Sequence, residues 1–433
     1  MKRNYIFLLL SEIVCFWVLF LCFPYTIQMQ EGEDLFLLTR EFLGGVISRP
    51  QGITFLISDF LEQFFATAWV GALIYSLVIT LSQWLLFLTL RNLGKTSFGW
   101  LAFFPALLVV PNSFPFVDMS VNFLFFSLLL YVFTAIKSRI WRTVYTLLLP
   151  IPAFCLMPWY EAVMLLVVFV ILEYVYHKSK ITSAVILVPL AFSFFVPRLW
   201  SDFVDFVPFN KRPLTGIDEF FTWKVFVGYV ITCAAVLMPL KKKTAGWISC
   251  TASALCIAAF AAIMLTDKDL LFGERTNKLS LLADQKDWEG IIAEVPYDEA
   301  VKSKILTDYV LLAMSATDNL PQVLFSYPLS SPEDFLYRHD KRTFYTNFNR
   351  QFYDNIGIWD EAFHQAFEYG VTQRENECFR SLRFKIDYAL NSCDLGVARS
   401  YLELLQKSVC NGDFVKGRMH RLVALEAKSN RIK

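Results

Sequence analysis

Charged side chains are scarce in this sequence. They make up 18% of its 433 residues, against about 25% in an ordinary soluble protein, so the whole chain cannot be one soluble globule. The net charge is +1, which leaves no strongly basic surface to hold nucleic acid. Several chemical signatures are missing. There is no phosphate-cradling Gly-x-x-x-x-Gly-Lys-Ser/Thr loop and no Gly-x-Ser-x-Gly nucleophile turn. The four histidines, His177, His339, His364 and His420, are scattered and form no His-x-x-x-His pair. Cysteines form no Cys-x-x-Cys, and Cys378, Cys393 and Cys410 stand 15 and 17 residues apart. A His- or Cys-built metal site is therefore not expected. Strand-like alternation is sparse, which argues against a β architecture.

Apolar residues are abundant instead: 56% of the chain, with 43 Phe and a mean hydropathy of +0.45. Charge is unevenly placed, with 32 charged residues in 1–266 and 47 in the 167 residues that follow. This asymmetry predicts a transmembrane domain over 1–266 and a water-soluble, extracytoplasmic domain over 267–433. A spanning helix needs ~20 mainly apolar residues. Nine stretches approach that length: 5–25, 68–90, 98–117, 120–136, 143–158, 161–177, 182–198, 223–240 and 246–266. Pro105, Pro111 and Pro115 interrupt the third, and Pro150, Pro152 and Pro158 crowd the fifth, so either could be broken or re-entrant. Six cysteines lie in or beside these stretches, where they act as small apolar residues.

Lys2-Arg3 precede the first stretch, and basic residues follow every second one after it: Arg91 with Lys95, Lys137 with Arg139 and Arg142, Lys178 with Lys180, and Lys241–Lys243. The positive-inside rule then puts the N-terminus in the cytoplasm and residues 267–433 across the membrane, in the periplasm of a bacterium with two membranes. The Met-Lys-Arg-Asn start resembles a signal peptide, but no small-residue cleavage site follows it. It is read as an uncleaved span.

Residues 267–433 read as short amphipathic helices, among them Lys278–Ala293 and Lys302–Ala316. Two later units, around Ile358–Phe367 and Asp394–Leu405, combine a turn, a small Ala where helices would cross and an aromatic one turn on. That is the logic of tetratricopeptide-like repeats, and a generic helical bundle is the alternative. The fold class is thus all-α: a polytopic transmembrane bundle of about nine spans carrying a periplasmic helical domain. Repeat helices offer extended surfaces that bind peptides or proteins.

Chemistry in the membrane part would centre on the external loop, residues 31–66. Glu31-Gly32-Glu33-Asp34 follows the first span, and the turn Ser48-Arg49-Pro50-Gln51-Gly52 separates two short helices expected over Leu35–Val46 and Ile53–Phe65. This layout resembles the GT-C glycosyltransferase superfamily, whose acidic motif lies just outside the first span. The resemblance implies that Asp34 or Glu33 acts as general base or holds a divalent metal, and that a polyprenyl-phosphate-linked sugar is the donor. Arg49 and Arg198 would hold its phosphate, with Lys211-Arg212 a weaker candidate. A solvated acidic loop obeying the charge rule is the other reading of the same residues. No other cofactor is expected.

Ionisable groups inside spans are costly and therefore informative. Glu12 and Glu173 fall there, and each either closes a structural hydrogen bond or marks a polar path. The loop's Arg-Pro-Gln-Gly turn, Phe60-Leu61-Glu62-Gln63-Phe64-Phe65 and the outer Ile356-Gly357-Ile358-Trp359-Asp360-Glu361-Ala362 also look similar to an uncharacterised family of bacterial multi-span proteins, which brings no activity with it. Two functions follow as expectations. One is an inner-membrane protein, embedded in the lipid bilayer, whose periplasmic domain binds a protein partner in envelope assembly or export. The other is a GT-C-like transferase.

Overall fold

Long uncharged apolar runs propagate helices, and prolines, glycines and capping residues end them. The computed structural model describes residues 2–105, 109–111, 114–201, 219–238, 246–328, 337 and 343–432. Among these residues every regular element is helical. In chain order they are α1 (Lys2–Cys22), α2 (Pro24–Glu33), α3 (Arg40–Ile47), α4 (Gly52–Glu62), α5 (Ala68–Asn92), α6 (Val117–Ala135), α7 (Arg139–Leu148), α8 (Pro150–Leu156), α9 (Trp159–Val175), α10 (Lys180–Ser201), α11 (Glu219–Leu237) and α12 (Gly246–Thr266). Then follow α13 (Lys268–Asp284), α14 (Trp288–Glu294), α15 (Lys304–Ala316), α16 (Thr343–Asn355), α17 (Trp359–Val371), α18 (Phe379–Asn391), α19 (Leu395–Leu405) and α20 (Gly412–Ile432), with one-turn helices between some of them.

The expectation of about nine spans is wrong. Among the described residues four helices are long and apolar enough to cross a membrane: Tyr5–Cys22 within α1, α5, α6 and α12. Among the described residues the remaining apolar stretches hold no further helix of that length and composition. Residues 98–117 hold a 3-10 helix, Thr96–Ala102. The stretch 143–158 is divided between α7, with 10 residues, and α8, with 7, at Pro150. α9 has 17 residues, about 26 Å at 1.5 Å per residue, short of a ~30 Å hydrocarbon layer. In α10 and α11 the portions with described side chains, Lys180–Ala191 and Val225–Leu237, are apolar but shorter than a span. Composition counts apolar residues, whereas a span needs an unbroken helix.

The chain forms two compact units. The first comprises Met1–Cys22, Arg40–Leu61 and Trp69–Asp267. Its core interleaves aromatics of α6, α9 and α11, with Phe126, Phe133, Phe169 and Tyr229 all fully buried. Phe133 and Phe169 stack with centroids 3.9 Å apart. Near their N-terminal ends α5 and α6 are joined by Ser120 Oγ donating to Tyr75 Oη (3.1 Å), and at their C-terminal ends by Asn92 donating to Thr134 (3.4 Å). They therefore run parallel. The turn between α3 and α4 puts Gln51 at φ +62° and closes with Gly52 N–H donating to Arg49 O at 3.0 Å.

The second unit comprises Phe23–Thr39, Glu62–Ala68 and Lys268–Lys433. Helical hairpins dominate it. A left-handed residue ends the first helix of three of them: Lys286 after α13, Gly357 after α16 and Cys393 after α18, at φ +59°, +77° and +59°. In two of these an Asp then caps the next helix, Asp287 accepting from Gly290 N–H (3.0 Å) and Asp394 from Val397 N–H (3.3 Å). That turn splits the single helix expected over Lys278–Ala293. Ala362, Ala366 and Ala398 are wholly buried, as small residues are where helices pack closely. Cys378 is buried while Cys393 and Cys410 are exposed, and all three are free thiols.

Candidate functional site

The acidic segment after α1 belongs to the helical unit. Pro24 opens α2 at a position whose missing N–H costs nothing. The next two amides, Tyr25 and Thr26 N–H, donate to the Glu274 carboxylate at 2.9 and 2.8 Å. A carboxylate at a helix N-terminus is favoured by the helix dipole. Beyond α2 residues 35–39 form no helix, where a helix from Leu35 was expected. Long-range backbone bonds account for the difference: Phe379 N–H donates to Asp34 O (3.2 Å) and Leu38 N–H to Lys407 O (2.9 Å).

Each acid of this segment meets a partner on the later helices. Both oxygens of Glu31 accept from Arg383, one of them at 2.8 Å. Glu33 accepts from Tyr369 Oη and from Gln373 Nε2, the latter at 2.9 Å. Asp34 lies 3.7 Å from Arg374. Burial pushes the Glu33 carboxyl up, beyond what Arg380 and the two hydrogen bonds recover. Asp34 and Glu62 also bring carboxylate oxygens within 4.8 Å of each other. This acidic cluster is an oxygen-only donor set, of the kind that suits a hard divalent cation and not zinc.

Behind the segment lies a buried charge centre that no sequence motif announced. Asp284, the last residue of α13, accepts from Gln351 Nε2 (2.7 Å), Arg350 and Arg380. Arg350 also donates to Asn347 Oδ1 (3.1 Å) and Tyr388 Oη (3.2 Å), above the Phe384 ring at 3.5 Å. Arg380 reaches Ser280 Oγ (3.1 Å) and the Met29 sulfur. Burial pushes the Asp284 carboxyl up, but Arg380, Arg350 and Gln351 more than reverse it, so its net displacement is downward. The one available signal was a set of Arg, Asp and Gln residues on helix faces otherwise apolar.

Other expected site residues lie elsewhere. Arg49 is half-buried in the α3–α4 turn of the first unit. Arg198 is in α10 with its side chain outside the described residues, as are Lys211 and Arg212 altogether. Glu12 accepts from Ser76 Oγ at 2.8 Å. Glu173 pairs with Arg142 in a fully buried ion pair. Arg142 also donates to the carbonyls of Ile136 (3.0 Å) and Lys137 (2.9 Å), so this loop cation faces protein.

Fold and site together define an all-helical protein with membrane-length apolar helices, a helical-hairpin unit and an acidic cluster in that unit. The chain belongs to a family of unknown function (DUF6057), matched over residues 2–432. No curated protein and no solved structure matches it. Nothing in the family or the fold ties it to the GT-C superfamily.

Proposed function

We propose that the protein is a membrane-anchored, partner-binding protein of the cell envelope, acting in assembly or export. The observation that carries this reading is the engagement of Glu31, Glu33 and Asp34 by Arg383, Tyr369 with Gln373, and Arg374. Acids held in this way fasten α2 to the helical unit. Connectivity supports the topology. α1 ends at Cys22 and α12 at Thr266, and each passes directly into that unit. Both ends then lie at one membrane face, with Met1 at the other. Lys2 and Arg3 favour a cytoplasmic N-terminus, which puts the helical unit in the periplasm.

The proximity of Asp34 to Glu62 favours a second reading, the GT-C-like transferase using a polyprenyl-phosphate-linked sugar. Asp34, or Glu33 beside it, would be the acid, and Arg49 and Arg198 would hold the phosphate. Complementation by Asp34→Asn and Glu33→Gln at matched protein levels separates the two. A partner-binding protein retains function in both, because the substitutions keep shape and hydrogen-bonding groups. Loss of function at normal abundance would overturn it in favour of the transferase. In parallel, cross-linking from the helical unit in cells should trap a discrete protein that a strain lacking the protein does not yield.

A further inference from the structure

The helical unit contains a cleft of about 280 Å³. Its walls come from α13, α16, α18 and α20, with Trp359 at the start of α17 on the rim. Seven charged side chains line it, four cationic and three anionic. Three cations are matched within the unit. Arg350 shares Asp284 with Arg380, Lys286 lies 3.4 Å from Asp354, and Arg418 binds Asp387 through two bonds of 3.0 and 3.1 Å. The fourth, Arg421, is exposed and donates to the neutral Asn391 Oδ1 at 2.7 Å. It brings no carboxylate of its own to the cleft. Trp359 is 44% exposed, and Ile356 and Ile358 in the turn before it are equally open, at 44% and 45%. The cleft thus has one exposed guanidinium whose partner is neutral, and an exposed indole among its lining residues.

We propose that this cleft binds a peptide segment of a protein partner in which an acidic residue neighbours a large apolar one. The proposal rests on the partner-binding reading above and names the partner's chemistry. A single carboxylate suits the exposed Arg421 guanidinium, whereas a phosphate dianion would bring a second negative charge toward Asp354 and Asp387. The volume lies just below the ~300–1,000 Å³ usual for small-molecule sites, and fits one or two side chains. The apolar residue covers Trp359, and the carboxylate pairs with Arg421.

The test is selection from a random-peptide display library on the full-length protein in lipid nanodiscs. Enriched sequences should place Asp or Glu beside Phe, Trp, Leu or Ile. Their binding should fall about tenfold in Arg421→Gln, the scale of one charged hydrogen bond, should fall further in Trp359→Ala, and should weaken with added salt. Both substituted side chains are exposed, and unchanged melting curves verify folding. Enrichment of basic or neutral peptides, or of none, overturns the proposal. Acidic peptides that bind both variants as tightly as the parent overturn the cleft and leave partner binding elsewhere on the unit standing. The cellular cross-linking experiment judges that broader reading independently.

Discussion

Asp284 holds two buried guanidinium groups, those of Arg350 and Arg380. In Asp284→Asn they would keep their charge and lose its compensation, a situation that costs about 3–5 kcal/mol. The expected result is a clearly lower melting temperature for the helical unit, read by circular dichroism on the purified protein. A melt within a degree of the parent's would refute the account. The pH dependence has a definite sign. Asp284 is held below its ordinary value, so its stabilisation is fully present above the unfolded value near ~3.9. It is lost as pH falls through the lower folded value. Glu33 is displaced the other way. Between ~4.3 and its raised folded value, its contribution to stability declines as pH rises. Glu33→Gln keeps the acceptor for Tyr369 and removes the buried charge. It should leave stability at neutral pH unchanged or higher, and flatten that limb of a stability–pH curve. A marked loss of stability would contradict it. None of these pairings has a local sequence signature. Glu33 and Tyr369 are 336 residues apart, and Glu31 and Arg383 are 352 apart.

At the level of elements, close approaches are set by glycines. A Cβ on Gly52 would lie 2.0 Å from the Val46 carbonyl oxygen, so the α3–α4 turn admits no side chain there. Gly52→Ala should cost about 3 kcal/mol or more through forced backbone movement, seen as reduced yield and a lower melting temperature. A fully stable variant would show that this turn is misplaced. Gly32, on α2, is milder: its Cβ would meet the Arg380 side chain at 3.0 Å. Gly32→Leu should therefore loosen α2 from α18, measurable as faster hydrogen exchange over residues 24–33 with slow exchange kept in α15. The Arg-Pro-Gln-Gly turn and the helices around it were legible from turn chemistry. The helix-free stretch 35–39 was not, because its apolar residues suit a helix locally and backbone bonds with Phe379 and Lys407 override that preference. The Lys286-Asp287 break was likewise hidden inside an amphipathic pattern that continues across it.

For the molecule as a whole, the chief consequence is that residues 23–39 complete a unit whose main body begins at Lys268. A fragment of residues 268–433 alone would leave Arg383 without Glu31, Tyr369 without Glu33 and Glu274 without the α2 amides. It should melt well below the intact unit, and a synthetic peptide of residues 23–39 added in trans should raise that melting temperature in a saturable way. Absence of any response to the peptide would count against the joined architecture. The division of charge along the chain, the helical class, the Arg-Pro-Gln-Gly turn and the apolar runs were written in composition and local period, since helices and tight turns depend on neighbours within a few residues. The number of runs that are continuous membrane-length helices, the partners of Glu31, Glu33 and Asp34, and the Asp284 centre were decided by packing. Those features depend on contacts across hundreds of residues, where burial and charge pairing outweigh local preference.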